Sequence, residues 1–230
     1  MPEAIDHARV IADDSARFAA VLPDDLSAPV PTCPAWDAQG LVEHLGEVQY
    51  FWATILGHGG ERPERIELPD PPSERAGLLE WFATGTDALV TAIGRVAPSD
   101  PTWTWWGEPA TAGAVARHQV QEAAVHRVDA ELITGHQTPL PMAVADDGIG
   151  EFLEVMLDIP DTEPVPRVGL RATDSDNQWQ VGDSTPAVTL SGSASDLVLV
   201  LYGRISLDDL AVDGDRGEAV RLLQLTAAGS

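Results

Sequence analysis

The sequence has no lysine, a single cysteine and no long hydrophobic run, and each absence excludes a class of protein. All 13 basic residues are arginine, which excludes a Schiff-base lysine and the lysine of a phosphate-binding loop. Cys33 alone cannot form an internal disulfide, which excludes a secreted disulfide scaffold. The N-terminal segment lacks the basic and apolar regions of a signal peptide, and no stretch is apolar enough to span a membrane. We therefore expect a cytoplasmic protein.

Basic charge is also scarce. The 230 residues include 37 acidic side chains, which gives a formal net charge of -24. A protein that binds nucleic acid or an anionic membrane needs a basic face, so neither is expected as a partner. The acidic side chains are instead typical of a solvated surface that keeps a protein dispersed.

Hydrophobic periodicity predicts four long helices in the first 134 residues. Their expected ranges are 3–21, 38–57, 73–96 and 111–134. The connectors between them are longer than usual in an antiparallel bundle, which favours a four-helix bundle with crossover connections.

The pattern changes after Pro139. A short helix, three strand-like runs and two further helices are expected there, at 144–157, 168–172, 178–181, 187–190, 193–203 and 217–226. The predicted class is therefore α+β multidomain, with a four-helix bundle over residues 1–138 and a small α+β domain over residues 139–230.

Glu122 and His126 are the most informative pair. They are four residues apart on a predicted helix, so their Cβ atoms lie roughly 6 Å apart on one face. A third metal ligand would come from another helix, and His44 is the candidate because it lies on the apolar side of the second helix. The spacing alone is more typical of a surface ion pair or of a buried histidine with a polar partner than of a metal site.

Two histidines and one glutamate are typical of a catalytic metal site. Three protein ligands leave a coordination position for water or substrate, and zinc commonly uses such a set. Nickel or iron could use the same ligands. The cation would acidify a bound thiol or water.

Three segments resemble the mycothiol-dependent maleylpyruvate isomerase family of actinobacteria. The first is CPAWDAQGLVEHLGEVQYFW at 33–52 and the second is HQVQEAAVHRVDAE at 118–131. The third is GRISLDDLAVDGD at 203–215, similar to the closing motif of the family's C-terminal domain. The resemblance implies a DinB-like metal-binding bundle followed by a sterol-carrier-like α+β domain.

By this resemblance, His44, Glu122 and His126 match the family's zinc ligands one by one. It also implies mycothiol, a low-molecular-weight thiol, as cosubstrate at the open position of the metal. In the family prototype the thiolate adds to the cis double bond of maleylpyruvate, the bond rotates, and elimination gives the trans isomer. The expected partners are this thiol and a small electrophile, and the chain is expected to be a monomer or homodimer.

Further residues are candidates for the chemistry. Asp129 and Arg204 are predicted to be catalytic, Asp129 by orienting a ligand and Arg204 by binding an anionic substrate from the second domain. Trp106 and Arg127 are predicted to bind the cofactor. The alternatives are a surface ion pair for Asp129 and Arg127, and a pair of Arg204 with a neighbouring aspartate. Trp106 could equally belong to a loop that packs on the bundle together with Trp103 and Trp105.

Two other functions remain open at this point. A metal-dependent hydrolase of a small amide or ester would use water at the metal, with Asp129 or His118 as general base. A non-catalytic protein would only bind a metal or a small ligand. Cys33 is expected to be a small packed residue rather than a nucleophile.

Overall fold

The computed structural model describes residues 5–160 and 162–226. These residues divide between Thr138 and Pro139 into two compact units. Four long helices form the first unit, and a four-stranded sheet with shorter helices forms the second. This is the predicted α+β multidomain class. Within the described ranges, no helix combines the length and hydrophobicity that a membrane span requires.

The four predicted N-terminal helices are present. They are α1 (His7–Val21), α2 (Ala38–His58), α3 (Arg75–Ile93) and α4 (Ala112–Thr134). α1 begins later than expected because Asp6 caps it by accepting from Arg9 N, and residues 1–4 lie outside the described part. α3 also begins two residues late, since Glu74 has an extended backbone.

Capping residues set the ends of the two helices that carry the candidate ligands. Asp37 accepts from Gly40 N at 2.9 Å at the start of α2, and Thr111 accepts from Ala114 N at 3.2 Å at the start of α4. α4 ends at Gly135, whose φ of 72° is left-handed and therefore favours glycine.

The bundle core lies between α2 and α3 and between α1 and α4. Phe18 and Phe82 are fully buried and their ring centroids are 5.1 Å apart. Burying one such side chain stabilises the fold by about 1.5–3 kcal/mol. Gly46 allows α2 to approach α3 closely, because a Cβ there would overlap the ring of Trp81. Close packing of this kind fixes α2, and with it His44.

The C-terminal unit is a mixed sheet with helices packed on it. Its strands are β1 (Val168–Ala172), β2 (Gln178–Val181), β3 (Val188–Gly192) and β4 (Ala211–Gly214), and its helices are α5 (Met142–Glu151), α6 (Ala194–Leu201) and α7 (Arg216–Thr226). The strand order is β2-β1-β3-β4. β1 and β3 are parallel, and the two outer pairs are antiparallel.

Two details of this unit differ from the sequence prediction. The helix expected over 144–157 is α-helical only to Glu151, and Phe152–Met156 continues as a π-helix. β4 was not predicted, because it is a short edge strand in which only Val212 is half-buried. Backbone pairing with β3 holds β4 in place, and such pairing requires no alternating hydrophobic pattern in the sequence.

Candidate metal centre

α2 and α4 bring the three predicted ligands together. His44 Nε2 lies 3.9 Å from Glu122 Oε2, and His126 Nε2 lies 3.5 Å from the same oxygen. One ligand atom from each residue lies within 4.8 Å of the other two. Glu122 and His126 share a face of α4 because they are one turn apart, and the packing of α2 on α4 supplies His44.

The surroundings of Glu122 Oε2 indicate whether these residues fit a cation. This oxygen is buried and has no hydrogen-bond partner among the described residues, although an unpaired buried carboxylate oxygen is costly. The two imidazole nitrogens that face it are too distant for good hydrogen bonds. Zinc with bonds of about 2.0–2.1 Å in tetrahedral geometry places its ligand atoms about 3.4 Å apart. The observed spacing therefore fits a divalent cation among the three side chains.

The charges at this cluster depend on one another. Burial by itself raises the pKa of Glu122, but His126 and His44, with a further contribution from His118, bring that pKa well below its usual range. Burial lowers the pKa of His126, whereas Asp129 and Glu122 raise it to about 9. At neutral pH a cation must therefore displace a proton from His126.

Asp129 fixes the orientation of the His126 ring. Its Oδ2 lies 2.8 Å from His126 Nδ1, and Thr32 Oγ1 donates to its Oδ1 at 2.6 Å. Asp129 is fully buried, so the alternative of a surface ion pair is wrong for this residue. The arrangement leaves Nε2 of His126 facing Glu122.

Arg127 points to a different part of the bundle. Its Nη1 donates to Glu131 Oε1 at 2.8 Å and to Thr138 Oγ1 at 2.7 Å, and its Nε lies 2.9 Å from Asp14 Oδ1. Arg17 Nε also donates to Glu131 Oε1, at 2.6 Å. Arg127 is 2% exposed, so the surface alternative is wrong here too. These contacts join α1 to α4, and the role of Arg127 in cofactor binding stays a prediction.

Aromatic rings surround His118, which precedes Glu122 by one helical turn. The centroid of its ring is 5.0 Å from Trp106, 6.0 Å from Trp105 and 6.1 Å from Trp52. The loop before α4 that carries Trp103, Trp105 and Trp106, the tryptophan loop, thus packs on α2 and α4. Trp106 is half-buried and its Nε1 donates to Pro109 O at 3.2 Å.

Sequence reasoning missed two contributions from the loop before α2. Trp36 lies beside the candidate ligands, with its ring centroid 4.6 Å from His44 and 6.0 Å from His126. Thr32 reaches Asp129 from the same loop. The Cys-Pro-x-Trp motif was the available signal, although it did not indicate which side chain contacts the site. Cys33 is half-buried against the hydrophobic core, in agreement with its expected packing role.

Arg204 lies in the C-terminal unit, after α6. Its Nη1 donates to Tyr202 O at 2.6 Å. Of the neighbouring aspartates, Asp208 pairs with Arg216, and Asp209 accepts from Ser206 N at 2.9 Å. The role of Arg204 in binding an anionic substrate stays a prediction.

Comparison with known proteins agrees with this architecture. The family model of the mycothiol maleylpyruvate isomerase N-terminal domain matches residues 8–131, and that of the family's C-terminal domain matches residues 143–221. No curated protein matches the chain closely enough to count as a relative.

Two similar solved structures support the fold. They are crystal structures of the mycothiol-dependent maleylpyruvate isomerase and of a mutant of that enzyme, at 16% and 15% identity. The TM-scores are 0.70 and 0.71, and each comparison covers 91% of both chains. At this identity the likeness establishes the fold, whereas the two domain matches cover most of the sequence in order. The chain therefore belongs to the mycothiol-dependent maleylpyruvate isomerase family, a family of enzymes.

Proposed function

We propose that His44, Glu122 and His126 hold one divalent cation, zinc in the first instance. We further propose that the chain is a mycothiol-dependent isomerase or thiol S-transferase acting on a small electrophile. The observation that carries the proposal is the buried Oε2 of Glu122, which lies 3.5–3.9 Å from two imidazole nitrogens and has no hydrogen-bond partner in the described part of the chain. Family membership supports the choice of thiol.

The donor set determines the chemistry. Two neutral imidazoles and one carboxylate leave a dication with a net positive charge, which lowers the pKa of a thiol or water that binds it. Imidazole nitrogen suits zinc, iron and nickel alike, so zinc is the first metal to test.

The side chains around the ligands have separate roles in this proposal. Asp129 holds the proton on His126 Nδ1 and thereby keeps Nε2 available as a ligand. Trp36 covers one side of His44 and limits access of water to the ligands. Trp106 offers a half-buried aromatic surface to the thiol cosubstrate.

A thiolate explains both proposed reactions. Addition of sulfur to an activated double bond converts it to a single bond, which rotates freely before the thiolate leaves again. If the electrophile instead carries a leaving group, the same attack ends as S-transfer. The proposal therefore requires that turnover depends on an added thiol.

Metal analysis of the purified protein tests the ligand assignment. We expect about one divalent ion per chain in the wild type and none in His126→Ala. The matched control is His136→Ala, since His136 is exposed after the end of α4 and should not affect the metal. Full metal content in His126→Ala would overturn the assignment.

Turnover assays test the reaction. Wild-type protein is incubated with maleylpyruvate or with small electrophiles that carry a leaving group, with and without mycothiol and before and after chelation. The proposal expects product only when metal and thiol are both present. Hydrolysis of small esters or amides without thiol would identify a hydrolase. A metal-loaded protein without turnover on any of these substrates would favour a binding protein.

A further inference from the structure

His118 faces the oxygen of Glu122 that the proposed metal site does not use. Its Nε2 lies 3.5 Å from Glu122 Oε1, whereas His44 and His126 face Oε2. The side chain of His118 is only 4% exposed, so this histidine belongs to the interior of the bundle. The two oxygens of a single carboxylate therefore have different neighbours.

His118 lies outside the ligand set itself. Among residues 5–160 and 162–226, the group of three side chains that each bring a donor atom within 4.8 Å of the other two is His44, Glu122 and His126. His118 precedes Glu122 by one helical turn and reaches it from the side of the tryptophan loop. It is thus placed to act on the metal through Glu122.

The aromatic neighbours of His118 limit its freedom to turn away. Trp52 comes from α2, and Trp105 and Trp106 come from the loop before α4; all three rings contact the imidazole. Packed side chains hold one rotamer, and an apolar surrounding strengthens a polar contact at its edge. The imidazole is therefore held with Nε2 toward Glu122.

We propose that His118 is a positioning residue that keeps Glu122 a monodentate ligand. A carboxylate with both oxygens free can chelate a cation and fill the position that a thiol needs. His118 Nε2, 3.5 Å from Oε1, is placed to donate to that oxygen once a cation draws Oε2 toward itself, so that only Oε2 is left for the cation. The inference rests on the proposed metal centre, and it explains how the centre keeps an open position.

Cobalt substitution gives a direct readout of coordination. The visible absorption of Co²⁺ is strong in four-coordinate sites and weaker as the coordination number rises. His118→Leu should weaken this absorption and lower Co²⁺ affinity by about 10-fold or more, in the range that loss of a metal-orienting partner usually costs. His118→Gln, which keeps an N–H donor at a similar position, should retain both properties.

Gln119→Leu is the matched control for disturbance of α4. Gln119 is the adjacent residue, is 1% exposed, and its amide atoms have no hydrogen-bond partner among the described residues. We expect its cobalt spectrum and affinity to equal those of the wild type. A cooperative thermal unfolding transition of each variant without metal shows separately whether the variant is folded.

Each outcome has a distinct meaning. A wild type that does not bind Co²⁺ would overturn the metal centre and this role with it. A wild type that binds, with a His118→Leu variant of unchanged spectrum and affinity, would overturn the role alone. Equal losses in His118→Leu and Gln119→Leu, or no rescue in His118→Gln, would show that packing of α4 rather than a donor at His118 controls the site.

Discussion

His126 Nδ1 lies 2.8 Å from Asp129 Oδ2, and this contact gives the two ring nitrogens different roles. The carboxylate accepts the Nδ1 proton, so Nε2 is the nitrogen that faces Glu122. Both partners are buried, which protects the contact from competing water. A carboxylate–histidine–metal arrangement of this kind increases the basicity of the ligand and fixes its ring.

Asp129→Asn should weaken metal binding without removing a ligand. Asparagine keeps the shape of the side chain but loses the charge, and it can present its NH₂ group to Nδ1. We expect metal affinity to fall by about 10–100-fold. Competition with a chromophoric chelator measures the change.

Thr32→Val is a milder change beside Asp129 and serves as the control for Asp129→Asn. It removes the donor to Asp129 Oδ1, at 2.6 Å, and leaves the contact between Asp129 and His126 in place. The loss of affinity should be smaller than in Asp129→Asn. If Asp129→Asn bound metal as tightly as the wild type, Asp129 would not orient the ligand.

Metal binding should release a proton below pH 9. The pKa of His126 in the metal-free protein is raised to about 9, above the usual 6.5, so the imidazole must lose a proton before Nε2 can bind a cation. Titration calorimetry at pH 7.5, in buffers with different ionisation enthalpies, should give about one proton released per ion. A heat that does not depend on the buffer would contradict the raised pKa.

The metal-free protein should lose stability in the alkaline range for the same reason. The pKa of His126 is higher in the folded protein than in the unfolded chain, so protonation of its ring stabilises the fold. This contribution is complete below pH 6.5 and is lost as pH rises through about 9. Glu122, with a lowered pKa, stays ionised throughout this window. The stability difference between wild type and His126→Gln, measured by urea unfolding without metal, should therefore decrease from pH 6.5 to 9.

The sequence predicted those parts of the site that depend on local geometry. Glu122 and His126 share a helical face because of their spacing, and Asp129 follows His126 by three residues on that face. Thr32 and Trp36 could not be placed, since their contacts depend on the path of a proline-rich loop. The contact between His118 and the tryptophans likewise depends on how α2 and the next loop pack on α4. Tertiary packing, rather than periodicity, determines these positions.

Arg127→Met should destabilise the bundle far more than Arg17→Met, although both arginines pair with Glu131. The side chain of Arg127 is 3% exposed and that of Arg17 is 50% exposed. Removing one partner of a buried pair costs about 3–5 kcal/mol, because the other charge stays buried without compensation. The half-exposed Arg17 is screened by water and Glu131 keeps its buried partner Arg127, so Arg17→Met should cost at most about 1 kcal/mol.

Urea unfolding of the two arginine variants measures this difference. Similar losses in both would contradict a buried network centred on Glu131. Metal content should equal that of the wild type in both, since the described polar contacts of the two side chains are with Asp14, Glu131 and Thr138. If mycothiol failed to protect a folded Arg127→Met protein against heat, that result would support the predicted role of Arg127 in cofactor binding.

Trp106→Leu should separate thiol binding from metal binding. We expect mycothiol to raise the melting temperature of the wild type only when metal is present, because a ligand stabilises the state to which it binds. Trp106 packs against His118 and Trp52 and is half-buried, so its loss removes aromatic surface beside the site. The mycothiol-induced shift should fall by at least half in Trp106→Leu, while metal content stays at about one ion per chain.

Trp179→Leu is the control, because Trp179 belongs to β2 of the C-terminal unit. Its shift with mycothiol should equal that of the wild type. Equal protection of Trp106→Leu and wild type would assign the aromatic loop to packing alone. Equal protection of the wild type before and after chelation would instead mean that the thiol binds independently of the cation, which would contradict a role of the cation in lowering the pKa of the thiol.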